Sequence, residues 1–483
     1  MFVGIDMGTS SIKVLLINHE QVPVAAHSIS LSIDRPAPGW SEQDPEDWWH
    51  AVCTAFDALK KNHPKELAAV KAIGLSGQMH GATLIGADGK SLRPCILWND
   101  GRSASQAKAL ELAEPGFNSI GGNRLMPGFT APKLQWVREN EPLVFEKIKK
   151  VLLPKDYVRF KLTGEYASDM SDSSGTLWLD IKKRAWCNSL LEATGLTAEH
   201  MPELAEGTDE TGRLRPDLCQ EWGFRSAPIV AGGASDNAAA ACGIGAAQDG
   251  QGFVSLGTSG VVFVANDRFS PNVSGGVHAF CHALPETWHQ MGVVLSAADS
   301  LNWLAGVLRR SASDLADEVG LISNPARSMF LPYLAGERTP HNDVDIRAGF
   351  LGLSHDSTET ELVHAVMDGV AFALKDCLEA LKRAGTQVDQ LVAVGGGSRS
   401  IGWVRIIANA MGIPIHVLSG VNLGAALGAA RLAMAASGAS LAEVFSPPNT
   451  SRTIEPDRAL SAHYQDAYGR WRRLYPALKE TGF

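Results

Sequence analysis

One tripeptide occurs twice in matching surroundings, and this constrains the fold more than any other feature of the chain. Gly8-Thr9-Ser10 lies between Val3 and Ile5 on one side and Ile12, Val14 and Leu16 on the other. Gly257-Thr258-Ser259 lies inside the apolar run Phe253–Val264, about half the chain further on. Apolar residues alternating on both sides of a tight turn predict a β-hairpin. Two such hairpins at this spacing point to a duplicated architecture. With 483 residues the chain exceeds the size at which a single core stops growing, so two large domains are expected. The boundary is placed in the small-residue stretch Ala238–Ala247, giving domains 1–244 and 245–483. Taken alone, Gly-Thr-Ser is also simply a good turn sequence.

Helical signals interleave with the strands. Asp44 and Pro45 open a segment in which Trp48, Val52, Phe56 and Leu59 recur at helical spacing. A strand from Val70 to Leu75 runs into Ser76-Gly77-Gln78-Met79-His80, and strands and helices continue to mix in both halves. The expected class is therefore α/β.

Composition narrows the ligands. A formal net charge of −9 without a long basic run disfavours nucleic acid and anionic membrane as partners. The seven cysteines are scattered, with no CxxC pair, against both a disulfide framework and a zinc site. Neither a signal peptide nor an apolar run of about 20 residues is seen, which reads as a cytoplasmic protein.

The turns suit a nucleoside triphosphate. Backbone N–H groups at glycine-rich turns bind phosphate without crowding, hydroxyls add donors, and a carboxylate holds magnesium. The first hairpin offers Asp6 for the metal, then Thr9, Ser10 and Ser11, with Lys13 as a cation. The second offers Gly257, Thr258 and Ser259, and carries Ser255 where the first carries Asp6. A third element, Leu391–Val394 followed by Gly395-Gly396-Gly397-Ser398, would let the backbone approach a base or ribose closely. It is not a dinucleotide fingerprint, because Ser400 stands at the third glycine position. Gly89-Lys90-Ser91 resembles a P-loop end, but Leu84 occupies the first glycine position and Asp88-Gly89 reads as a hairpin turn.

In this order, Asp6-x-Gly-Thr-Ser, the second Gly-Thr-Ser and the triple glycine resemble the actin, sugar-kinase and heat-shock ATPase superfamily. Within it, Gly128–Asn140 and Ala348–Leu353 with Glu361-Leu362 and Ala365–Asp368 resemble the two signature regions of the FGGY carbohydrate kinases. Trp40–Pro45, Gly77–Gly81, Leu97–Arg102, Leu152–Tyr157, Ser168–Asp172 and Pro332–Pro340 narrow the likeness to the xylulokinase branch. Glycerol kinases typically carry Arg-Glu where this chain has Met79-His80.

The resemblance implies two actin-like (ribonuclease H-like) domains flanking a deep catalytic cleft, the first binding sugar and the second ATP, with Mg2+ as cofactor and a possible homodimer. It implies transfer of the ATP γ-phosphoryl group to the primary O5 of D-xylulose, with another ketopentose or a pentitol as the alternative acceptor and Asp236 as base. Small neighbours around Asp236 leave room for substrate, although Ser235 or Asp236 could merely cap a helix starting at Asn237. Met79, His80, Asp236 and Asn237 are the implied sugar contacts, with Trp98, Asn99 and Arg102 behind them. For Lys133, Trp136 and Arg338, scaffold and contact roles both stay open. Two other classes compete: an actin-like ATPase acting on a protein, which leaves Asp236 and His80 without a role, and a silent sugar sensor, which would be expected to lack Asp6 or Asp236.

Overall fold

The computed structural model describes residues 1–319, 324–419 and 424–482, and the chain divides into two compact units. The first comprises Met1–Ala247, Phe280–Trp288 and Leu423–Pro447; the second comprises Gln248–Ala279, His289–Asn422 and Pro448–Phe483.

In the first unit, β1 (Phe2–Met7), β2 (Ser11–Ile17) and β3 (Pro23–Ser30) form an antiparallel meander. Next come β4 (Ala72–Gly77), β5 (Glu210–Arg213), β6 (Ile229–Ala231) and the short β7 (Ala234–Ser235). β4 lies parallel to β1, β6 lies parallel to β4, and β7 pairs with the end of β4. The sheet order is β5-β6-β4-β1-β2-β3. β1 and β4 are buried nearly throughout, as expected of parallel strands covered on both faces. Alternation separates the faces. Val3, Ile5 and Met7 pack with Trp48, Val52, Phe56 and Leu59 of the helix Pro45–Asn62, which Asp44 caps by accepting from the Glu46 N–H at 3.0 Å. Phe2, Ala72, Leu15 and Ile17 pack on the opposite face with the helices Asp236–Gly243 and Gly424–Ala436.

The second unit repeats the pattern. Its strands are β8 (Gly252–Leu256), β9 (Gly260–Asn266), β10 (His278–Cys281), β11 (Trp288–Val294), β12 (Leu391–Val394), β13 (Ile415–Leu418) and β14 (Thr450–Ile454). Their order is β10-β11-β9-β8-β12-β13-β14. β8 and β9 form the hairpin, and β12 and β13 extend it in parallel from β8. Four consecutive strands therefore correspond: β6-β4-β1-β2 in one unit and β13-β12-β8-β9 in the other. The duplication expected from the repeated tripeptide is a duplication of sheet topology. Long helices, chiefly Glu359–Arg383 and Ile401–Met411, cover this sheet and share its core. No helix among the described residues is long and apolar enough to cross a membrane.

Candidate active site

In open α/β sheets, ligands gather beyond the carboxyl ends of parallel strands. In the first unit that edge collects the residues singled out in its sequence. β1 ends with Asp6 and Met7 and turns through Gly8-Thr9-Ser10; β4 continues into Gln78-Met79-His80; β7 leads directly into Asp236 and Asn237. The register sets Asp6 beside Ser76 on one neighbour and Lys13 on the other, with Ser235 opposite Gly77.

Asp236 and Asp6 are both partly accessible and electrostatically coupled. Burial, followed by the Asp6 charge, pushes the Asp236 carboxyl up to about 6, against the lowering effect of two hydrogen bonds from Asn237. Those bonds run from the Asn237 backbone N–H (2.7 Å) and side-chain amide (2.9 Å) to Asp236 Oδ1. Burial also raises Asp6, while Lys13 opposes it. The capping expectation needs correction: the helix begins at Asp236, the preceding Ser235 makes no side-chain cap bond, and the Asp236 carboxylate accepts from its immediate neighbour Asn237.

His80 is held on three sides. Its backbone adopts φ 70°, the left-handed region. Its Nδ1–H donates to the Gly175 carbonyl at 2.8 Å, so in the neutral ring the lone pair lies on Nε2. Its own carbonyl accepts from Lys133 Nζ at 2.9 Å and Thr130 Oγ1 at 3.1 Å. Lys133 is fully buried, and burial drives its ammonium down to about 7. In this structure the Lys133 ammonium thus supports the His80 backbone. Phe129 meets the imidazole edge-on, 4.5 Å between centroids.

Trp98 is not a core residue; it is 45% exposed, with its indole N–H donating to Thr9 Oγ1 at 3.0 Å. Thr9 Oγ1 donates in turn to Gln78 Oε1 at 2.9 Å, and Gln43 Nε2 donates to the Thr9 carbonyl at 2.8 Å. The Thr9 hydroxyl proton is therefore engaged by Gln78 in this structure, while the Ser10 and Ser11 hydroxyls stand on the same turn. Arg102 is buried and ion-paired to Asp100 (2.7 Å) and Glu42 (2.6 Å), its guanidinium 3.7 Å from the Trp40 ring centroid and 5.0 Å from that of Trp136. Arg102 and Trp136 together brace the loop that carries Trp98. Asp88-Gly89 forms the expected turn, closed by the Gly86 N–H to the Lys90 carbonyl at 2.9 Å.

In the second unit, parallel pairing of β8 with β12 brings the second turn beside the triple glycine. Thr258 and Ser259 are exposed, and the Ala297 and Ala298 N–H groups hold the Thr258 and Gly257 carbonyls at 2.9 Å each. Gly395 takes φ 87°, Gly396 is exposed, and Ser398 Oγ donates to the Gly395 carbonyl at 2.7 Å. Gly396 and Gly397 thus present backbone, while the Ser398 hydroxyl closes its own turn.

A buried charge cluster behind Asp236 received no role in the sequence reading. Lys155 Nζ lies 2.5 Å from Asp156, 2.7 Å from Asp169 and 3.4 Å from Asp172, with every one of these side chains excluded from solvent. Arg159 donates to the Ala231 carbonyl at 2.7 Å and to the Gly232 carbonyl, holding the loop between β6 and β7. Lys155, Asp156, Asp169 and Asp172 stand within segments that resemble the xylulokinase branch, so the signal was present without an indication of what it supports.

Comparison with known proteins identifies the relatives of this chain. Residues 1–243 match the N-terminal domain, and residues 252–437 the C-terminal domain, of the FGGY family of carbohydrate kinases. The chain is 46% identical over 487 residues to xylulose kinase of Escherichia coli K12, covering 99% of each. A crystal structure of a xyloylose kinase from Brucella ovis superposes with a TM-score of 0.98 at 53% identity over 99% of both chains. Gluconate kinase from Lactobacillus acidophilus follows the same fold, with a TM-score of 0.92 at 26% identity, covering 99% of this chain and 97% of that one.

Proposed function

The chain belongs to the FGGY family of carbohydrate kinases, and from that premise we propose that it transfers the γ-phosphoryl group of ATP to the primary O5 of D-xylulose, giving D-xylulose 5-phosphate. The observation that carries the chemistry is Asp236, a carboxylate raised to about 6 at the open end of the parallel strands beside Asp6. Its charged form prevails at neutral pH, yet it is a stronger base than an ordinary aspartate. The choice of acceptor rests on near-full-length likeness to xylulose kinases and on Met79-His80 beside Asp236.

Asp236 takes the O5 proton as the O5–P bond forms and the bond from the γ-phosphorus to the ADP oxygen breaks. His80 Nε2 and the Asn237 amide meet sugar hydroxyls, being groups that can exchange hydrogen bonds with a polyol. Ser10, Ser11 and the backbone of the first turn supply N–H and hydroxyl donors to phosphate. The first domain takes the sugar, and the second, through Gly257–Ser259 and Gly396-Gly397, takes ATP. Asp6 is a partly accessible oxygen donor at a glycine turn, which suits a hard divalent cation, and would hold Mg2+. When bound, Mg2+ supplies charge neutralisation for the phosphoryl group.

The test is ADP release by purified protein with Mg-ATP and D-xylulose, D-ribulose, L-ribulose, glycerol, gluconate and pentitols, beside Asp236→Ala. D-Xylulose should give the highest kcat/KM, and the variant should lose at least about 100-fold, the scale of general-base catalysis. Preference for another sugar would reassign the acceptor. No sugar-stimulated turnover at all would sink the kinase reading.

A further inference from the structure

A single short segment, Asp169–Gly175, touches both halves of the acceptor site. At its start, Asp169 accepts from the Ser171 and Asp172 backbone N–H groups at 2.8 and 3.2 Å, and is anchored by Lys155 Nζ at 2.7 Å. Ser171 Oγ donates to Asp169 Oδ2 at 2.5 Å and accepts at 3.0 Å from the N–H of Ser235, the residue that precedes Asp236. At its end, the Gly175 carbonyl receives His80 Nδ1–H at 2.8 Å.

Gly175 is glycine for reasons of space alone. Its φ is −75° and its ψ −3°, a conformation open to any residue. A Cβ there would stand 2.6 Å from His80 Nδ1, 2.7 Å from His80 Cε1 and 2.9 Å from Met79 Cε, closer than real Cβ contacts come. The backbone tolerates alanine, whereas the two implied sugar contacts do not.

We propose that Asp169–Gly175 is the positioning element of the acceptor site: Gly175 determines acceptor specificity through His80 and Met79, and Ser171 positions Asp236. The inference rests on the reading that sugar lies against Met79, His80 and Asp236. A methyl group at 175 must move the imidazole and the thioether, so it acts on acceptor binding. Loss of the Ser171 hydroxyl leaves the Ser235 N–H without its partner inside the protein, so it acts on the base.

The experiment is steady-state kinetics of the full chain with D-xylulose and Mg-ATP for wild type, Gly175→Ala, Ser171→Ala and Ser171→Thr. Gly175→Ala should raise the D-xylulose KM at least tenfold with an unchanged ATP KM. Ser171→Ala should lower kcat about tenfold with the D-xylulose KM within twofold, and Ser171→Thr, which keeps the acceptor oxygen, should recover most of it. A merely structural role would only reduce the folded fraction, so that kcat normalised to folded protein and both KM values stay at their wild-type levels in both variants, and that result overturns the proposal. A wild-type D-xylulose KM in Gly175→Ala overturns it too, while leaving the proposed function standing. A wild type inactive on D-xylulose would instead overturn the proposed function, and the acceptor role of Gly175 with it.

Discussion

Asp236 is a residue on which opposing effects meet and the raising ones win. Burial and the neighbouring Asp6 carboxylate favour the protonated form, while the Asn237 N–H and amide favour the anion. The result, about 6, fixes the expected pH dependence. Below that value the base carries a proton and cannot accept another, so kcat/KM should fall about tenfold per pH unit and level off above it. A pH–rate profile with an acid limb near 6 is predicted. Asn237→Ala removes one of the two donors that stabilise the anion, so the limb should move to higher pH. An acid limb near 4 in the wild type would mean that Asp236 is not the group titrating. The residue types at this site were legible because they sit in short motifs whose chemistry is distinctive. What motifs could not resolve was which polar atoms are already spent. From sequence Thr9 offers a hydroxyl and Lys133 an ammonium, but not that the first bonds to Gln78 and Trp98 and the second to the His80 carbonyl. Those assignments depend on contacts between segments far apart in the chain.

At the scale of elements, the β1-β2 and β8-β9 hairpins were readable because period-two alternation around Gly-Thr-Ser is a local signal. The helix Gly424–Ala436 was not placed by sequence, because nothing local says which sheet it covers. It packs on the first unit with its backbone against glycines: a Cβ on Gly4 would lie 2.0 Å from the Ala426 carbonyl oxygen, and one on Gly74 would lie 1.9 Å from that of Ala429. Gly4 and Gly74 alternate with the side chains that fill the opposite face, and they lie two residues before Asp6 and Ser76 on the same strands. Displacing this helix would therefore lever the strand ends that carry the site. The obstacle at Gly74 is backbone, which cannot rotate away as a side chain can, so Gly74→Ala should cost on the order of 3 kcal/mol, at the upper end of overpacking effects. Chemical denaturation is the measurement. A loss under about 0.5 kcal/mol, the range of an inconsequential surface change, would show that the helix backs off freely.

Across the whole molecule, two units of matching topology have diverged at corresponding turns. The first keeps a carboxylate, Asp6, where the second has Ser255, and the strand beside the second turn ends in three glycines instead of Gly-Gln-Met-His. They differ also in how they pay for buried acids. In the second unit, burial pushes Asp368 and Glu337 up to about 8, so both enter the fold protonated at neutral pH. His364, 3.5 Å from Asp368, is pushed down to about 4 and is neutral there, so this contact is not an ion pair. Asp368 Oδ2 accepts the Ala326 N–H at 2.7 Å, with Glu361 and Tyr464 as its other ionisable neighbours. Their folded values lie above those of the unfolded chain, where both groups ionise near 4. The folded state therefore binds more protons between about 4 and 8, and stability must fall as pH rises through that window. Asp343 acts in the opposite sense: held at about 2 by Lys479 and Tyr475, it contributes stability above about 4 that is lost as pH falls through 2. Asp368→Asn keeps an acceptor for the Ala326 N–H and cannot ionise. It should already be mildly stabilising at pH 5, above the unfolded value, and gain roughly 4 kcal/mol more by pH 9, the linkage accumulated between pH 5 and the folded value of about 8. Thermal unfolding of both proteins at the two pH values decides the matter. A melting-temperature gain that grows markedly from pH 5 to pH 9 supports a buried proton on Asp368, whereas the same shift at both pH values would mean that the carboxyl does not titrate on unfolding and that the pH dependence arises elsewhere.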